Sequence, residues 1–254
     1  MEYAGFEIND IRGKQLNMSR QSMAGHAIGI MLLETWHPLL PGSVANATTF
    51  NFPVRLKILR DAKVEQIMSG DPVLIEMIIK AGRELEQEGV RAIVGGCGYF
   101  ANYQREVAAA LNIPVFLSSL LQVPVILRAL KPGQQVGLLV ADSKALNQQM
   151  LEACGITSGM PIVCVGMEDQ PEFRNILECS GKLNYDRYEN EVVGRAQKLV
   201  VENPNVNAIL LECSEFPSVA RSVQRAVKLP VWDYISMINW IYHGVVQRVY
   251  KGFF

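Results

Sequence analysis

Short apolar runs alternate with longer amphipathic stretches along almost the whole chain. The runs at 28–33, 55–59, 92–96, 114–118, 136–141, 161–167, 208–212 and 230–234 are rich in Val, Ile and Leu and lack polar alternation. That pattern predicts strands buried on both faces. Helical spacing fills 71–89, 141–155, 186–204 and 235–250. The first of these opens on Asp71-Pro72 and closes on Gly89, and the second has Asp142 or Ser143 as cap and Gly155 as stop. Strands separated by helices of this length predict parallel βαβ units and a three-layer α/β fold. Ligands in such folds gather beyond the carboxyl ends of the strands.

The chain also repeats itself. Laid over each other without a gap, residues 92–115 and 208–231 agree at nine of 24 positions. The matches include Cys97 with Cys213, Phe100 with Phe216, Arg105 with Arg221 and Pro114 with Pro230. Generic βαβ units share alanines and valines by chance, but matched Cys, Phe and Arg in one ungapped window indicate a duplicated lobe. The expected organisation is a lead-in over 1–25, a first lobe over 26–118 plus 230–254, and a second lobe over 119–229.

Duplication changes the reading of the cysteines. A lone Cys in an apolar run is ordinarily a small buried hydrophobe, and Cys154, Cys164 and Cys179 are read that way. Cys97 and Cys213 each end a strand in equivalent units, so a pseudo-two-fold axis would set them across one cleft. The first amides of the following helix have no intrahelical acceptor, which favours thiolate and offers donors to an anion. Opposed groups of this kind suit inversion of a carbon centre, where one removes a proton and the other delivers one.

With "GGCGYF", "LLECSEFP" and "LLETWHPLLPGSVANATTFNFPV" on the page, the chain resembles the aspartate/glutamate racemase superfamily over roughly residues 26–250. The resemblance implies two pseudo-symmetric α/β lobes, Cys97 and Cys213 as paired acid and base, no cofactor, a small carboxylate or amide substrate, and a homodimer. The expected activity is a racemase or epimerase, an isomerase. Hydantoin-type racemase, malonate-type decarboxylase and cis–trans isomerase are alternatives within the superfamily, and a small-molecule binding protein is the alternative outside enzymes. Where typical members carry Asn-Thr after the first cysteine, this chain has Gly98 and Tyr99; a substrate other than free aspartate or glutamate fits that departure. Ser214 and Glu215 follow the family's pattern after the second cysteine.

Other side chains complete the candidate site. Ser43, Asn46, Thr48 and Thr49 crowd the loop after the first strand, either as ligands for a carboxylate or as turn chemistry around Pro41-Gly42. Ser143 either caps a helix or touches substrate. Glu215 either tunes Cys213 or serves as a first-turn acid. His37 either assists chemistry from its loop or, as the favoured reading, is structural or at the surface, and the three tryptophans are expected to pack. The scattered His26, His37 and His243 carry no metal-ligand spacing. A net charge of -1 with mixed signs argues against nucleic acid or a membrane surface as partner. With no apolar run near 18 residues and no secretory signal at the N-terminus, a cytoplasmic location is expected.

Overall fold

All eight apolar runs become strands, and they divide evenly between two parallel four-stranded sheets. The computed structural model describes residues 11–15, 23–248, 250 and 252–254. Most of the expected lead-in over 1–25 lies outside the described residues.

The first sheet holds β1 (Ile28–Leu33), β2 (Val54–Leu59), β3 (Ala92–Gly95) and β4 (Val115–Phe116), in the order β2-β1-β3-β4. The second holds β5 (Gln135–Val140), β6 (Ile162–Gly166), β7 (Val206–Leu211) and β8 (Val231–Trp232), in the order β6-β5-β7-β8. The two orders are the same with each strand advanced by four, so the sequence repeat is a repeat of topology. Strands β3 and β7 are equivalent, and Cys97 and Cys213 lie two residues beyond their ends.

Helices α1 (Val64–Ser69), α2 (Ile75–Gln87), α3 (Gln104–Ala110), α4 (Val123–Ala129), α5 (Gln148–Ala153), α6 (Pro171–Leu177), α7 (Tyr185–Glu202), α8 (Ala220–Val227) and α9 (Tyr234–Val245) cover the sheets. Asn184 starts α7 by accepting from the Arg187 amide, and Asp233 with Ser236 forms a capping box at α9. The helices expected over 71–89 and 141–155 each begin as a 3-10 turn, because Asp71 and Asp142 cap Pro72–Leu74 and Ser143–Ala145 first. Trp36 and Trp240, expected to pack, stand 71% and 64% exposed.

Core packing explains why the chain returns to the first lobe at its end. Ile28, Ile30, Ala92 and Val94 form one buried cluster with Tyr234, Met237, Ile238 and Ile241 of α9. Each fully buried Ile or Met there contributes roughly 1.5–3 kcal/mol. Strand β8 still pairs with β7 in the second sheet, so the return follows β8 rather than preceding it. No helix of the described residues is long and apolar enough to cross a membrane.

Candidate functional site

The lobes meet at the carboxyl ends of β3 and β7, and several bonds join them there. The Tyr99 hydroxyl donates to the Asp142 carbonyl at 2.5 Å and accepts from the Asp142 amide at 2.7 Å. The Ser43 hydroxyl donates to Glu215 Oε1 at 3.0 Å, and the Val44 amide donates to the Ser214 carbonyl at 3.2 Å. Gly42, at φ +104, allows this approach: a Cβ there would lie 2.5 Å from the Ser218 Cα.

Between the lobes lies a cavity of about 80 Å³. At a liquid share of about 30 Å³ per water it has room for about three waters. Cys97 and Cys213 both line it, with Tyr99, Ser214, Glu215 and His37. Leu32, Leu33, Met68, Ile176 and Leu177 make it largely apolar.

Each sulfur is met by amides from the turn that follows it. The Tyr99 and Phe100 amides point to Cys97 and the Glu215 amide to Cys213, which lowers the cost of a thiolate. These donors belong to 3-10 turns, Gly98–Tyr103 and the segment leading into Phe216–Val219, rather than to the α-helices that come next. Burial outweighs the amides. It pushes the Cys97 thiol up to about 12, with the Glu212 carboxylate adding to the shift. Cys213 rises well above its ordinary value, through burial first and then Glu212 and Glu215.

Glu212 was not among the candidate residues of the sequence. It is fully buried, accepts one bond from the Ala141 amide at 3.1 Å, and leaves Oε1 without a partner. Burial raises its carboxyl to about 7. In the repeat it occupies the place of Gly96, where a Cβ would meet Leu32 Cδ2 at 2.5 Å. The first lobe cannot hold a side chain there, so the two thiols sit in unlike surroundings. An acidic residue in the middle of an apolar strand end was the available signal.

The remaining candidates divide. Ser43 and Gly98 are buried behind the cavity, one bonded to Glu215 and the other packed on Glu212. Asn46 accepts from the Thr48 amide, and Thr49 accepts from the Gly42 amide and donates to the Ser43 carbonyl; both shape their loop and neither lines the cavity. Ser143 donates to Glu168 at 2.6 Å, away from the thiols. Cys179, read as a buried hydrophobe, is half-buried and lines the cavity. His37, expected at the surface or in a structural role, turns its imidazole into the cavity. Among the described residues no group of three or more His, Cys, Asp or Glu is placed to hold a metal ion.

No family model matches the chain. A dimethylsulfoniopropionate lyase of Durusdinium sp. clade D is 28% identical over 244 residues, covering 93% of this chain and 79% of that protein. Dimethylsulfoniopropionate lyase 3 of Emiliania huxleyi is 28% identical over 223 residues, covering 84% of this chain. The chain spans only 58% of the Emiliania huxleyi protein's length. Among solved structures, a cysteine-substituted arylmalonate decarboxylase aligns with TM-score 0.58 at 17% identity, over 86% of this chain and 92% of that one. A glutamate racemase isoform from Bacillus anthracis aligns with TM-score 0.55 at 12% identity, over 86% and 82%.

The fold is therefore the two-lobe, racemase-like one, and the resemblance read from the sequence holds at that level. The expected activity does not. Relatives matching the chain over most of its length are named as lyases, which corrects the expected racemase or epimerase and the isomerase class with it.

Proposed function

We propose that this protein is a lyase that eliminates a sulfide from a β-sulfonio propionate, with dimethylsulfoniopropionate, the substrate named for its relatives, as the reference substrate. The observation that carries the reading is that Cys97 and Cys213 open onto one small cavity with amides aimed at both sulfurs. In the reaction, a thiolate of this pair takes the proton from the carbon next to the carboxylate. The electron pair of that C–H bond becomes the new carbon–carbon double bond. The bond from the β-carbon to sulfur breaks, and sulfur keeps its electrons. Acrylate and neutral dimethyl sulfide result, the thiol returns its proton to solvent, and the balance needs no oxidant or further reactant.

The charge pattern supports this substrate class. In the free protein, burial and the two carboxylates hold both thiols protonated. A sulfonium cation entering beside Glu215, which lines the cavity, offsets negative charge there and favours thiolate at the moment a base is needed. The apolar wall of Leu32, Leu33, Met68 and Ile176 suits the S-methyl groups.

The test is incubation of the purified chain with dimethylsulfoniopropionate, following dimethyl sulfide by gas chromatography and acrylate by NMR. Cys97→Ser and Cys213→Ser should each lower the rate by about 10²–10⁴-fold. Sulfide release that survives replacement of both thiols, or none from the intact protein, refutes the proposal.

A further inference from the structure

We propose that His37 holds the carboxylate of the small acid bound in the cavity; this deepens the lyase reading and takes from it the substrate class. His37 lies in the loop after β1, where its backbone is near the surface and its imidazole is turned inward, with 5% of the side chain exposed. Neither ring nitrogen has a hydrogen-bond partner. Leaving two buried polar atoms unpaired is costly, and a hydrogen bond from the ring to a ligand in the cavity offsets that cost.

The neighbours fix which nitrogen is available. Nε2 lies 3.6 Å from Glu215 Oε1, and that oxygen is itself held by the Ser43 hydroxyl at 3.0 Å. Glu215 therefore faces one side of the ring and leaves Nδ1 for the ligand. With hydrogen on Nδ1 the ring donates to the ligand's carboxylate, while Nε2 faces Glu215.

The Thr35 and Ser214 hydroxyls also line the cavity but carry no charge to favour a carboxylate over an amide. The turn amides that could serve a carboxylate are aimed at the two sulfurs. Among the described residues, no Lys or Arg lines the cavity, and His37 is the one lining side chain able to carry positive charge. Holding the carboxylate at His37 keeps the adjacent carbon inside the cavity that both thiols line.

Sodium propionate and propionamide are the probes, titrated calorimetrically into the intact chain and into His37→Asn and His37→Gln, each first shown to melt cooperatively. The intact chain should prefer propionate, and each variant should lose at least tenfold of that preference while binding propionamide as before. A preference within threefold of the intact chain in either folded variant overturns the proposal, as does absence of any preference in the intact chain. The readout is separate from turnover. A chain that releases no dimethyl sulfide yet loses its propionate preference on substitution keeps the subsite and fails as a lyase. A His37→Asn chain that releases dimethyl sulfide at an unchanged KM refutes the subsite and leaves the lyase reading standing.

Discussion

The carboxylate of Glu212 packs directly on the backbone of Gly98, so closely that a Cβ added to Gly98 would overlap it. Each of these residues adjoins a thiol, Gly98 following Cys97 and Glu212 preceding Cys213. Glycine at position 98 thus has a cause in the opposite lobe. Gly98→Ala is expected to destabilise the protein by about 1–3 kcal/mol, because a fully buried Glu212 has no solvent to retreat into. Adding Glu212→Ala should restore part of that loss, and a double-mutant cycle in urea measures the coupling. Additive effects of the two changes would refute the contact.

Glu212 also predicts a dependence of stability on pH. Its carboxyl is raised from 4.5 to about 7 by burial, so the folded protein binds a proton that the unfolded chain releases between those values. Stability from this group is full below 4.5 and falls as pH rises toward 7, by about 3 kcal/mol in total. Glu212→Gln should flatten that fall and leave the variant more stable than the natural chain above pH 7. Urea denaturation at pH 5, 6, 7 and 8 is the measurement.

The same substitution should act on the thiols. Burial is the largest cause of the raised Cys97 value and Glu212 the next, so removing the charge should move iodoacetamide alkylation of Cys97 to lower pH. Cys97 receives two amides and Cys213 one, while Glu212 and Glu215 oppose thiolate at both, so Cys97 should be alkylated first in the free protein. Mass spectrometry of partially labelled chain reads the order.

Strands and repeat were legible because each strand is a run of apolar residues, and the ungapped match of Cys97 with Cys213 survives in three dimensions as equivalent places in equivalent sheets. Helices α1, α3, α4, α6 and α8 have six to eight residues, too few turns to show a periodicity. Asn46 and Thr49 were drawn in by residue type alone, and their side chains turned out to brace a loop. Glu212 escaped, and His37 was read as structural or at the surface, for the opposite reason. Glu212 left only an acidic residue at an apolar strand end as a signal, and the unpaired His37 nitrogens beside Glu215, far away in the chain, show only in three dimensions.

Tyr99 yields the last prediction. Its ring belongs to the first lobe and its hydroxyl bonds both backbone groups of Asp142 in the second, at 2.5 and 2.7 Å. Burial and the nearby Glu212 push the phenol well above its ordinary value, so the group stays protonated and its two bonds persist across the working pH range. Tyr99→Phe keeps the ring but strands the Asp142 amide and carbonyl, at a cost of about 1–3 kcal/mol. Because the lost bonds span the cleft, the harm should extend beyond stability. Weaker lobe closure lets the Cys97 and Cys213 sides of the cavity drift apart, and displacement of about 1 Å in a reacting geometry is enough to lower a rate 10²-fold. The expected result is a lower melting temperature together with a kcat loss for dimethyl sulfide release that exceeds any rise in KM. A variant that melts lower but turns over at the natural rate would show that Tyr99 fastens the lobes without setting the distance between the thiols.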